Sequence, residues 1–309
     1  MTAPLRSRAP RPTGTRRGPA PVVDLTDTAS ALAAVFDATP AQAPARATVR
    51  RPAPAEAAAP PPHQLDLALT DLAEVFAVYP YRATMPACDH CVTAEERRAL
   101  GRPPEQVPGP VLDRFVTKAL ITWGEEADLK RLLPEVLART CDGRLGPPPS
   151  LVGARLRRAG WREWPAAETP AVRRVFRAAW MATLAEAPGP GRLPVDRLLS
   201  LLATAEEDLV PYLGVWEDRL EAPGNPGARL AAVLHLADLL TPLAAGGRRR
   251  LARSLPLARR GPVGQVDQWL RQPVVVQRLA HAAESLRSTP HRPRMDRARE
   301  GLARLRTER

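Results

Sequence analysis

The sequence predicts an all-α protein, on three observations. Apolar residues recur at helical spacing in stretch after stretch between residues 64 and 287. No segment shows the strict alternation of a strand or a hairpin turn of the Asn-Gly type. Helix pairs begin near residues 112, 151, 194, 228 and 266, and intervals of 39, 43, 34 and 38 are close to the period of HEAT-like or tetratricopeptide hairpins. The residues do not repeat in register. Stacked antiparallel hairpins forming an irregular, HEAT-like α-solenoid are therefore expected, with a multi-helix bundle as the other arrangement.

The stretch 111–140 is the clearest pair of amphipathic helices. Val111, Leu112, Phe115, Val116, Ala119, Leu120 and Trp123 share one helical face. Gly124 suits a C′ position, and Glu125, Glu126 and Asp128 suit the first turn of a second helix, where acids meet unsatisfied N–H groups. Leu129, Leu132, Leu133, Val136 and Leu137 give that helix its stripe, and Pro134 is expected to kink or split it. So short a turn predicts an αα-hairpin.

Elsewhere the pattern runs in order. Leu65, Leu67, Leu69, Leu72, Val75, Phe76 and Val78 mark a helix that stops at Pro80, and Thr93 with Glu96 forms a capping box opening a helix at 93–100. A short helix at 151–159 is closed by Gly160. Further stripes follow at 172–184, 198–202, 209–220 and 230–240, and a long helix at 266–286 is expected to bend at Pro273.

Residues 1–62 hold twelve prolines among alanine, arginine and threonine, which predicts a disordered tail. Within it ALAAVFDATP, at 31–40, echoes DLAEVFAVYP, at 71–80, so a short helix there is a candidate mimic of its counterpart in the core. The helical domain is placed at 63–287 and a basic C-terminal tail at 288–309.

The formal charge of +12 lies at the two ends. Residues 1–60 carry eight arginines against four acids, and residues 246–309 carry sixteen against five, which leaves 61–245 at about −3 by subtraction. Lys118 and Lys130 are the only lysines beside 43 arginines, a bias that a GC-rich genome produces by itself, so clustering rather than number carries weight. No apolar run approaches the roughly 18–20 residues of a membrane span, and no export signal is visible; three cysteines need no disulfide. A cytoplasmic protein without membrane association is expected.

Cys88-Asp89-His90-Cys91 is the sharpest local motif. Cys88 and Cys91 supply two zinc thiolates at most, and the only other cysteine is Cys141, so no cofactor is favoured and zinc remains the alternative. A redox pair is the other chemical reading, since Cys91 lies close to a helix N-terminus, but the strand and βαβ setting of thioredoxin-like chemistry are missing. The acids at 125–128 and 206–208 open helices, where charge alone explains them. Trp123, Trp180, Trp216 and Trp269 have core spacing, and His235 and His281 read as structural. Trp161 and Trp164 lie instead in the turn GWREWP with Arg162, an aromatic and basic surface candidate. Arg248, Arg249 and Arg250 lead the run of six arginines at 246–261. No catalytic triad order, P-loop or dinucleotide fingerprint is present.

Phe115, Lys118-Ala119, Thr122-Trp123-Gly124, Asp128, Lys130 and Leu133-Pro134, with Tyr79-Pro80 and Cys88-Asp89-His90-Cys91-Val92 upstream, resemble a family of bacterial hypothetical proteins over residues 70–220. The resemblance implies an all-helical fold and brings no assigned activity.

Together these readings predict a non-enzymatic module holding a protein partner in a groove between helices. One alternative is an accessory protein that binds DNA or RNA through C-terminal arginines. The other is a zinc- or redox-dependent function at Cys88 and Cys91.

Overall fold

The computed structural model describes residues 60–83, 85–190 and 193–308. The predicted tail and the mimic at 31–40 lie outside the described residues, except that Pro61 and Pro62, assigned to the tail, already belong to the first helix.

The fold is all-α, and among the described residues the only extended pairing is two isolated bridges at Trp123. The helices are α1 (Pro61–Phe76), α2 (Ala94–Leu100), α3 (Gly109–Lys118), α4 (Glu126–Cys141), α5 (Pro149–Arg158), α6 (Glu168–Ala185) and α7 (Val195–Ala205). They continue with α8 (Val210–Glu221), α9 (Pro226–Leu240), α10 (Gly247–Ser254), α11 (Arg260–Leu270), α12 (Pro273–Ser285) and α13 (Arg292–Thr307). The capping box forms as predicted: Thr93 Oγ1 accepts from the Glu96 N–H at 3.1 Å, and the Glu96 carboxylate accepts from the Thr93 N–H at 2.8 Å.

The most extensive packing joins helices distant in sequence. α1 lies on α6, α5 on α7, and α13 on α9 and the 3₁₀ turn Thr241–Ala245 that continues it. α5 and α7 are two helices apart, as in neighbouring stacked hairpins, whereas α1 on α6 and α13 on α9 join helices farther apart in the chain. Two glycines permit the closest approaches. A Cβ on Gly153 of α5 would lie 2.6 Å from the Leu201 carbonyl of α7, and one on Gly301 of α13 would fall on the Leu240 carbonyl of α9.

The predicted hairpin at 111–140 is corrected in detail. α3 ends at Lys118, five residues early, because the 122–124 backbone pairs with 86–88 instead of continuing the helix. Cys88 N–H donates to Thr122 O at 2.9 Å and Gly124 N–H to Pro86 O at 2.6 Å. Trp123 is buried from this loop, and Gly124 takes the left-handed conformation expected of it, with φ +72°. α3 packs on α2 and α5, and α4 on α1, rather than mainly on each other. Pro134 sits inside an unbroken α4. The helix expected at 266–286 is two, because Pro273 occupies the first turn of α12, where its missing N–H costs nothing.

The residues assigned to the basic tail include a docked helix, Arg292–Thr307. Met295, Ala298, Gly301, Leu302 and Leu305 of α13 are buried while Arg297, Arg299, Arg304 and Arg306 are exposed. The run Pro226–Ala245 overturns the expectation that no stretch is long and apolar enough for a membrane span. With mean hydropathy 1.4 it meets that test, yet 72% of it is buried inside the protein, as the core helix of the second half.

Many arginines act within the fold. Arg131 donates to Leu100 O at 3.0 Å, closing the end of α2, and Arg155 donates to Val116 O at 2.9 Å near the end of α3. Arg139 donates to Val107 O at 2.9 Å and Arg158 to Leu120 O at 2.8 Å. Each satisfies a carbonyl that its own segment leaves open, which a planar five-donor guanidinium does well.

Candidate functional site

Three adjoining cavities form a groove across one side of the fold. The largest, about 650 Å³, lies among α1, α6, α7 and α9 and is walled by Leu65, Ala179, Ala182, Leu193 and Leu198. It shares Asp142, Leu193 and Pro194 with a second cavity of about 350 Å³, which shares Pro149 and Arg197 with a third of about 330 Å³. Prolines at 147, 148, 188, 190 and 194 border the rim, where they break the helical pattern.

The first cavity is the more apolar end, and several of its polar groups are engaged. His235 Nε2 lies 2.9 Å from the Glu186 carbonyl. Arg294 pairs with Asp238 and donates to Leu234 O at 3.1 Å. Burial pushes the Cys141 thiol up to about 12, so it stays protonated at neutral pH. Among the described residues Cys141 makes no hydrogen bond to a base, and this end suits an apolar group rather than nucleophilic chemistry.

The third cavity is the basic end. Arg197 of α7 and Arg250 and Arg253 of α10 line it beside Ser150, Ser200 and Ser254. Ser200 Oγ donates to Arg197 O at 2.7 Å and Ser254 Oγ to Arg250 O at 3.1 Å, which leaves each hydroxyl oxygen able to accept. Among the described residues no carboxylate lies within ion-pairing distance of these three guanidinium groups. Asp196 is the one acid in the wall; burial raises its pKa, and the adjacent Arg197 opposes that.

The sequence-predicted surface turn is overturned. Trp161 is fully buried, its Nε1 donating to Ala205 O at 3.1 Å, and Trp164 is 7% exposed, its Nε1 donating to Ala159 O at 3.0 Å. Both indoles seal the packing of α5 against its neighbours. Arg162 is half-buried and pairs with Glu207 at 2.6 Å. Glu207 also holds Arg259 at 2.5 Å, so this turn and the arginine run meet around one carboxylate.

Arg248, Arg249 and Arg250 are exposed on α10, as a surface role requires. They differ in engagement. The Arg248 N–H donates to Glu308 at 2.8 Å and its Nε lies 3.5 Å from Asp267, whereas Arg250 reaches the groove.

Cys88 and Cys91 lie in the loop held by α3, where the Cys91 carbonyl accepts from Lys118 at 2.6 Å and Arg114 at 3.0 Å. A hydrogen bond from Cys91, with backbone N–H bonds, lowers the Cys88 pKa. Cys141 lines the groove instead. Among the described residues no three His, Cys, Asp or Glu side chains gather as a metal site.

Groove residues missed from the sequence include Arg197, whereas Arg250 and Arg253 belong to the arginine run at 246–261. The groove draws on segments from Pro62 to Arg294, and no local pattern announces such a meeting. The only available signal was the proline-rich breaks that border it. No protein-family model, curated protein or solved structure matches the chain, and its site is therefore read from its own residues.

Proposed function

We propose that the protein is a non-enzymatic interaction module that holds an extended segment of a partner protein in this groove. The observation that carries the reading is its gradient, from an apolar cavity of about 650 Å³ to a cavity lined by three arginines. The complementary segment has an apolar anchor at one end and negative charge at the other, which gives affinity and polarity of binding together. A cytoplasmic setting fits three cysteines that are all free.

A second reading, contact with DNA or RNA phosphates, is favoured by the packing of α10 on α13, which joins the two basic runs into one surface. Against it, Arg248, Arg259, Arg271, Arg278, Arg287, Arg292, Arg294 and Arg304 each have an acid partner within the chain. All six tryptophans are buried, leaving none to stack on bases.

The test is selection of a random peptide library on the full chain, repeated with Ala182→Trp, which fills the apolar cavity. Enriched peptides are expected to pair an apolar residue with acidic ones and to lose binding to the variant at an unchanged thermal midpoint. Peptide binding indifferent to Ala182→Trp, with salt-dependent duplex binding lost in Arg249→Gln/Arg297→Gln, would move the function to the basic face.

A further inference from the structure

We propose that the cavity between α5, α7 and α10 is a recognition site for a phosphate monoester, carried on a phosphorylated side chain of the segment bound in the groove. The inference rests on the groove reading and adds the chemical class of its basic end.

Three features carry it. Arg197, Arg250 and Arg253 come from two helices to one concavity, and among the described residues none of their guanidinium groups makes a hydrogen bond or ion pair. Elsewhere in this chain guanidinium groups are widely engaged, by carboxylates or by carbonyl oxygens, so three unengaged ones in one cavity stand out. A single carboxylate offers two oxygens and one charge, whereas a phosphate monoester offers three oxygens and nearly two charges, which matches three forked donors. Ser150, in the first turn of α5, also lines the cavity, so the positive end of a helix dipole adds to the same field.

The dimensions agree. At about 330 Å³ the cavity has room for a phosphorylated side chain, and through Arg197 and Pro149 it opens into the middle of the groove. A segment anchored in the apolar cavity thus passes Asp142 and Pro149 before its charged residue arrives. The one acid in the wall, Asp196, opposes any anion, and the adjacent Arg197 offsets part of its charge.

Isothermal titration of the full chain with O-phospho-L-serine, at constant ionic strength, tests the site. L-Serine, sodium acetate and inorganic phosphate are run in parallel. Saturable binding of phosphoserine at one per chain is expected, with acetate and serine silent. Arg250→Gln/Arg253→Gln should weaken it about tenfold or more, the loss expected when charge-assisted hydrogen bonds are removed. Arg249→Gln, on the same helix but outside the cavity wall, should leave it unchanged, and thermal midpoints confirm that both variants fold.

No saturable binding, or binding equal in the double variant, overturns the proposal. If the Ala182→Trp comparison still shows peptide binding in the groove, only the anion site has failed. If phosphate binds through Arg250 and Arg253 but no peptide is selected, the site serves a free anion and recognition of a partner is overturned.

Discussion

Lys130 Nζ lies 2.9 Å from a carboxylate oxygen of Glu168, and each side chain exposes only 6% of its surface. Around them Tyr79 Oη donates to Glu168, Glu126 takes the ammonium at 2.7 Å, and the ammonium lies 4.5 Å from the Trp164 ring centroid. Burial opposes the charge, but hydrogen bonds to Glu126, Glu168 and Tyr79 outweigh it and raise the Lys130 pKa. The pair ties α4 to α6 and explains why Trp164 is interior.

Lys130→Met leaves Glu168 buried without its cation, with only the Tyr79 hydroxyl donating to it. Loss of one partner of such a pair costs about 3–5 kcal/mol. Urea unfolding should show that loss, and Lys130→Met/Glu168→Leu should recover part of it. An additive double variant would mean that the two groups do not interact.

Gly301→Ala should detach α13. Its methyl would fall on the Leu240 carbonyl oxygen, and overpacking of this kind costs about 1–3 kcal/mol. Limited proteolysis is expected to open residues 287–292 in the variant, with a lower thermal midpoint. Truncation after residue 287 should be worse, because it uncovers the apolar faces of α9 and the 3₁₀ turn.

Cysteine alkylation should follow environment. The Cys88 pKa is lowered, chiefly by the Cys91 hydrogen bond, while burial raises Cys141 to about 12. The thiolate is the reacting form. Iodoacetamide at pH 7.5, followed by peptide mass spectrometry, should label Cys88 well before Cys141. Faster labelling of Cys141 would contradict its raised pKa.

Glu206 should leave a signature in the pH dependence of stability. Burial raises its carboxyl above the ordinary 4.5, with Arg173 and the Tyr212 hydroxyl pulling it back. The folded state then holds the proton more tightly than the unfolded state. The stability this adds is fully present below the unfolded value and is lost as pH rises through the folded one. The difference in thermal midpoint between wild type and Glu206→Gln should therefore shift against wild type as pH rises from 4 toward 7.

Local features were legible. The capping box at Thr93, the left-handed Gly124 and Gly160, and the stripes of α6, α8 and α9 follow from side-chain periodicity and backbone preference alone. What escaped depends on distant partners. α3 stops at Lys118 because residues 86–88 claim the next backbone groups, and Trp161 is interior because Ala205 lies beside it. Arginine roles were legible only in part. Clustering alone carries weight in the sequence, and it says nothing of Arg131, Arg139 and Arg155, which are consumed closing carbonyl ends of the fold. Of the candidate site Cys141, Arg250 and Arg253 carried sequence signals, whereas Arg197 gains meaning from the helix that faces it.

The pairing of α1 with α6 also sets a timetable. The Asp71–Arg174 ion pair in that contact spans 103 residues. A ribosome adding about 5–20 residues per second needs roughly 5–20 s to cover the interval. Throughout that time Leu72 and Phe76 have no permanent cover, so during synthesis the nascent chain presents a hydrophobic helix that chaperones are built to shield.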